Sequence, residues 1–307
     1  MPVYPISFPI PKCLIVDKIP EKSRDFSPLI PGDLTTYIYG PSREDEEKYH
    51  KQYRESYFAI THKKAGWDCM RHYEILANGC VPYFRDIDKI PSGTMTNFPT
   101  SLIKEAMNLP GVYDGRIDWT LFDTTKYTEI AEKLLEYTRE NLTTEDAARY
   151  ILKHIDFSPK KVLVLSGDTR PDYLRCLLLH GFKSIFGENV VDFPKVEHLY
   201  GPDTNERRSR LYGKGYTYAF HLEDIEINRE NIEERIEKRE FDLVVYGSVM
   251  RGRPFSNLVE KYYTPNQIIF MEGEDYLDTD SMHLSHSKIW FTRDLGSKKY
   301  ITHTETK

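Results

Sequence analysis

The chain has 307 residues, enough for two cores of ordinary size. Hydrophobic residues make up 39% and charged residues 29%, and no apolar run reaches about 18 residues, which excludes a membrane-spanning helix and a disordered polyelectrolyte. With 42 Lys+Arg against 48 Asp+Glu the net charge is -6, so no wholesale attraction to nucleic acid or to an anionic membrane is expected.

The opening segment, MPVYPISFPIPKCLIVDK, lacks a basic stretch leading into an apolar one, so no secretory signal and a cytoplasmic location are expected. Cys13, Cys69, Cys80 and Cys176 lie far apart without a CxxC pair, which fits neither a zinc site nor a disulfide framework. In chain order, Cys13–Val16, Thr36–Tyr39, Tyr57–Thr61 and Val81–Phe84 read as short strands. Helical patterns cover Glu44–Glu55, charged and expected to face solvent, amphipathic Asp68–Asn78, and the pair Lys126–Glu140 and Thr144–Ile155.

The pattern restarts after Phe157. Val162–Leu165 is a buried-strand run, followed by the loop Ser166–Pro171 and a helix expected to end at Gly181. Val190–Asp192, Phe241–Tyr246 and Ile268–Met271 supply further strands, with a helical Asn231–Arg239 between them. Strand and helix alternation in both halves predicts an α/β fold of two Rossmann-like domains facing across a cleft, residues 1–157 and 158–307, with residues 1–32 free to pack on either. Tyr is in excess, at 22 residues, and tyrosines line polar clefts that need an apolar face and a hydroxyl.

The stretch from Ser56 to Pro91 carries the chemistry. A strand ends in the basic, glycine-bearing loop Thr61–Gly66, a helix follows Trp67 with Asp68 as its expected N-cap, and a second strand follows Gly79. Such a loop lies at the carboxyl end of a parallel strand, where open α/β sheets bind ligands, and Lys63, Lys64 and the first-turn N–H groups can hold a diphosphate. Arg71 and Glu74 are three residues apart and share a helix face, so a phosphate-neutralising fork and a ribose-accepting carboxylate can point into one crevice. The same spacing also fits a plain surface ion pair flanked by solvated lysines.

The run SYFAITHKKAGWDCMRHYEILANGCVPYF resembles the donor-binding half of GT-B glycosyltransferases, nearest to the exostosin-like family, in which an S-x-F strand precedes a G-x-x-S-x-R-x-x-E helix and a G-C-x-P turn. Arg71 and Glu74 match the arginine and glutamate of that motif, and Gly79, Cys80 and Pro82 its turn; Cys69 stands where the pattern has serine. The resemblance spans roughly residues 35–155 and places the donor half first, so the two halves stand in permuted order relative to GT-B enzymes. It implies transfer of a sugar from a nucleotide-sugar, expected to be a UDP-sugar, to a glycan hydroxyl with inversion. The implied donor-binding residues are Lys63, Lys64, Gly66, Trp67, Asp68, Arg71 and Glu74, and no metal or other cofactor is obligatory.

An inverting enzyme needs a base from the opposite half, at the carboxyl end of a strand. Asp168 meets that condition, and Glu272, Glu274 and Asp275 meet it nearly as well. Two alternatives remain open at this point. Asp86–Ile87–Asp88 and Asp278–Thr279–Asp280 have the D-x-D form that holds a divalent metal in other glycosyltransferases, with His283 and His286 beside the second, though composition alone gives about as many such triplets. A nucleotide- or glycan-binding protein without catalysis would keep the donor residues and transfer nothing. The basic cluster Asn205–Arg210 reads as a solvated loop or as a phosphate-binding lid, and no GxGxxG or P-loop motif supports a dinucleotide or NTPase site.

Overall fold

The computed structural model describes residues 3–37, 39–275 and 289–295. In chain order the first half gives β1 (Val3–Pro5), β2 (Arg24–Phe26), α1 (Arg43–Arg54), β3 (Ser56–Thr61), α2 (Met70–Ala77), β4 (Val81–Phe84), α3 (Thr100–Met107), a hairpin of β5 (Val112–Tyr113) and β6 (Arg116–Ile117), α4 (Thr124–Asn141) and α5 (Thr144–Leu152). The second half gives β7 (Val162–Leu165), α6 (Tyr173–Phe186), β8 (Val190–Phe193), α7 (Asn205–Ser209), α8 (Ile232–Glu237), β9 (Leu243–Tyr246), α9 (Ser256–Tyr262), β10 (Ile268–Glu272) and β11 (Ile289–Thr292).

The fold is α/β with mostly parallel sheets. Among the described residues β2, β3 and β4 form one parallel sheet, and a second, six-stranded parallel sheet has the order β1-β11-β10-β9-β7-β8. The second sheet starts at β7, steps out to β8 and returns across β7 to β9, so its strand order reverses between β7 and β9, the position at which such sheets open a crevice at their carboxyl edge. Alternate residues of its strands feed different layers. Val162, Val164, Val245, Met271 and Phe291 join the cluster under α5 and α6, whereas Leu163, Leu165, Val244, Phe270 and Trp290 join the one under α8 and α9. The first of these clusters also contains Phe58 and Val81 of the small sheet, so both sheets share one apolar core.

Several local expectations are corrected. Cys13–Val16 is not a strand, and neither are Thr36, Tyr37 and Tyr39, the described residues of the second run. Lys12–Leu14 and Leu34–Thr36 are short 3-10 turns, the first flanked by Pro11 and the second capped by the Asp33 carboxylate on the Thr35 N–H at 3.0 Å. α1 faces solvent on one side only: Arg43, Glu44, Glu47, Lys48 and Lys51 are exposed, whereas Glu46, Tyr49, His50 and Tyr53 are buried, a stripe at helical spacing composed of polar and aromatic residues. All eight residues of α2 are buried, so it is wrapped on every side rather than amphipathic.

α6 runs through Gly181 to Phe186 and is capped by Gly187, which has φ 58. Gly181 does not end the helix because its role is close approach: a Cβ there would land inside van der Waals distance of the Thr144 carbonyl at the start of α5. Gly181→Ala therefore has to separate α5 from α6. The expected cost is about 1–3 kcal/mol, seen as a lowered urea midpoint at constant slope, and an unchanged midpoint would refute this account of the crossing.

Candidate functional site

α2 is positioned by a junction between the two sheets. The β3–α2 loop lies against the carboxyl end of β11, where the Asp294 carboxylate accepts the N–H groups of Trp67 at 2.9 Å and Asp68 at 3.1 Å. The buried Arg293 guanidinium donates to the Asp68 carbonyl at 2.6 Å and pairs with Asp275 and Asp294. Gly66 is required by this approach, since any Cβ would collide with the Asp294 carboxylate. Asp68 is not the N-cap. That position belongs to Cys69, whose side chain caps nothing, and the Asp68 carboxylate turns inward to accept the Phe8 N–H at 2.7 Å and the Tyr73 hydroxyl at 2.6 Å. Burial pushes the Asp68 carboxyl up to about 6 against the opposing pull of Arg293.

The junction aims Arg71 and Glu74 inward, and neither lies on a surface. Glu74 accepts the Tyr49 hydroxyl at 2.7 Å on one oxygen and the Thr217 hydroxyl at 2.5 Å on the other. Arg71 is 8% exposed, has no carboxylate partner among the described residues, stacks on the Tyr37 ring at 4.9 Å, and leaves its Nε without a hydrogen bond. Stripping a buried ion pair of one partner costs about 3–5 kcal/mol, and a cation–π contact returns only about 0.5–2 kcal/mol. The two side chains, three residues apart, are not the surface pair that their spacing also allowed.

A cluster of aromatic side chains adjoins Arg71 and Glu74. Tyr37 and Tyr39 stack at 5.9 Å, Tyr39 meets Tyr216 at 5.3 Å, and Tyr49 and Tyr53 share a hydrogen bond at 3.0 Å. Tyr173, at the first turn of α6, packs on Tyr212 and Tyr218, and burial, then the charge of Glu74, holds its phenol well above the ordinary value. From the second half Thr217 reaches across with φ 73, a strained backbone for a β-branched residue, its N–H donated to Glu46 at 2.7 Å and its hydroxyl to Glu74. Glu46 also pairs with the buried Arg208 at 2.8 Å. Arg208 is therefore a structural anchor within the basic run Asn205–Arg210, and that run forms α7. None of Tyr37, Tyr39, Tyr49, Tyr173 or Thr217 was singled out by sequence; the tyrosine excess was the signal available.

Lys63 and Lys64 are exposed on the loop, and the Lys63 ammonium lies 5.9 Å over the Trp67 ring. At the carboxyl edge of the large sheet Asp168 is held by Arg170 through Nε at 2.9 Å and Nη2 at 2.7 Å, with the Arg170 N–H on its other oxygen at 3.0 Å. Burial alone would raise its carboxyl, but Arg170 outweighs that and keeps it below the ordinary range. Asp275 is engaged by Arg293, and Glu274 lies 4.0 Å from Arg251. Glu272 differs: it is 8% exposed, accepts only the Glu274 N–H at 2.9 Å among the described residues, and burial, with Glu274 and Asp172 nearby, pushes it up to about 7. Asp86 and Asp88 pair with Lys89 and Lys104, while Asp278, Asp280, His283 and His286 lie outside the described residues, among which no group of three or more ligating side chains could hold a metal.

Asp68 and Glu272 keep their protons to higher pH in the folded chain than at their ordinary values of 3.8 and 4.5. The folded state therefore binds more protons in that window, and stability falls as pH rises toward about 6 and 7. Glu272→Gln should flatten this fall between about pH 5 and 8 and stabilise the chain at the upper end by on the order of 1–3 kcal/mol. Urea denaturation across that range checks it, and an unaltered pH dependence would contradict it. Compared with known proteins, the chain matches no family model, and no curated protein or solved structure is similar to it.

Proposed function

We propose that the chain is a glycosyltransferase that moves a sugar from a nucleotide-sugar, a UDP-sugar, to a hydroxyl of a glycan acceptor with inversion. The observation that carries this reading is Arg71, a buried guanidinium with no described carboxylate partner, set one helical turn from Glu74, whose two oxygens accept hydroxyls. A buried cation asks for an anion, and a hydroxyl-accepting carboxylate beside it suits a ribose, so together they fit a sugar linked to phosphate. The likeness of residues 56–84 to exostosin-like donor sites supports the same assignment. In this reading the two sheets are GT-B-like halves in permuted order, and the tyrosines offer stacking faces.

Arg71, with Lys63 and Lys64 at the loop, supplies positive charge for the leaving diphosphate without calling on a metal. For the base, Asp168 is a poor choice because Arg170 occupies its carboxylate, and Asp275 is similarly engaged by Arg293. Glu272 sits at a strand end beside Asp172, the N-cap of the helix that carries Tyr173, with proton affinity matched to neutral pH. It takes the acceptor proton in this reading.

A panel of nucleotide-sugars, scored by release of free nucleoside diphosphate in the presence of acceptor glycans, tests the activity. Binding without turnover across the panel would leave only a non-catalytic binding protein. Arg71→Ala should weaken UDP affinity about 10- to 100-fold, with Arg71→Lys recovering little because the fork is lost. Unchanged UDP affinity in both variants would sink the donor assignment. Glu272→Gln should cut transfer by roughly 10² while leaving UDP affinity within about twofold, whereas Asp168→Asn retains most of the turnover. The opposite ranking would return the base to Asp168.

A further inference from the structure

Both oxygens of the Glu74 carboxylate are taken within the chain, one by the Tyr49 hydroxyl at 2.7 Å and the other by the Thr217 hydroxyl at 2.5 Å. A ribose hydroxyl can reach this carboxylate only in place of one of them. The two are not equally free to leave. Tyr49 is buried on α1, one helical turn from Tyr53, to whose hydroxyl its own is bonded at 3.0 Å. Thr217 lies on a turn segment, residues 212–220, that enters from the second half of the chain, and within it Gly213, Lys214, Gly215 and Thr217 have positive φ. Short turn segments absorb the φ/ψ changes of a hinge, which a packed helix turn does not.

The segment runs from the surface inward, since Tyr212 is 64% exposed and Thr217, five residues on, is 0% exposed. Three hydrogen bonds fasten it to the first half of the chain: the Tyr216 hydroxyl to the Gly40 carbonyl at 2.9 Å, the Thr217 N–H to Glu46 at 2.7 Å, and the Thr217 hydroxyl to Glu74. When the segment lifts they break together, and the Tyr216 ring leaves the Tyr39 and Tyr49 rings that it meets at 5.3 and 5.6 Å. We propose that residues 212–217 form a latch that closes the donor site, with the Thr217 hydroxyl holding the place on Glu74 that a ribose hydroxyl takes when the latch lifts. The latch rests on the donor reading of Arg71 and Glu74. It adds a closed form to that reading, and a ligand that binds only the open form has its affinity lowered in proportion to the fraction of chains that are open.

UDP is titrated by calorimetry into the full chain and into its Thr217→Val, Thr217→Ser and Tyr216→Phe variants, and amide hydrogen exchange of residues 212–220 is followed with and without UDP. Valine keeps the branched shape and the backbone N–H but leaves Glu74 without its hydroxyl, so the closed form is the one weakened. UDP affinity should rise about tenfold or more in Thr217→Val and stay within about twofold in Thr217→Ser. It should also rise, by about three- to fivefold, in Tyr216→Phe, which loosens the latch without touching Glu74 and guards against misfolding of the valine variant. Saturating UDP should speed exchange in residues 212–220, the reverse of the protection that a ligand gives to a segment it covers. UDP binding with no gain in Thr217→Val and Tyr216→Phe, an equal gain in Thr217→Ser, or exchange that UDP slows or leaves unchanged would overturn the latch and leave the donor reading standing. UDP binding by none of the four chains would sink the donor reading itself, and the latch with it.

Discussion

The placement of α2 depends on one carboxylate. Asp294 accepts the N–H groups of Trp67 and Asp68 and so ties the entry of α2 to the end of β11, a strand of the other sheet. A charge-assisted pair of this kind is worth roughly twice a neutral one, and it is made where water is largely excluded. Arg293 closes the same junction from beneath through the Asp68 carbonyl, with Asp275 and Asp294 balancing its charge. The two amides at the entry to α2 are thereby satisfied by a protein carboxylate.

Along that helix, the two conspicuous charges are treated differently by their surroundings. Glu74 is fully engaged by hydroxyls from α1 and from Thr217, whereas Arg71 meets an aromatic face and no carboxylate among the described residues. The first arrangement stabilises and the second costs. Thr217 adds to that cost. A β-branched residue at φ 73 costs on the order of 1–3 kcal/mol, and it is held there by two glutamates from α1 and α2.

Elements with simple apolar content were legible in the sequence. Val162–Leu165 and Val81–Phe84 appear as strands with the expected bounds because every residue of the first is buried and the second follows a Gly–Cys turn. β1 and β2, three residues each, carry too little pattern to read, and β1 crosses to the second sheet to pair with β11, a long-range choice no local window contains. α1 was legible as a helix with a solvent face, but its buried face was not, because the inward stripe of Glu46, Tyr49, His50 and Tyr53 looks polar until its partners are known. The site shows the same division. Arg71 and Glu74 could be named from a motif, but Thr217 and Tyr173 come from more than 90 residues away and enter only through packing.

Glu46 ties α1 to the second half of the chain. Its Oε1 takes the Thr217 N–H, its Oε2 takes Arg208, and the His50 imidazole lies 3.8 Å away. Burial alone would raise the Glu46 carboxyl, but His50, the Thr217 N–H and Arg208 prevail and hold it at about 2, so it stays an acceptor throughout the physiological range. Thr217 is thus held at φ 73 by carboxylates on two different helices, Glu46 through its N–H and Glu74 through its hydroxyl, and loss of either acceptor removes one of the contacts that offset its strain.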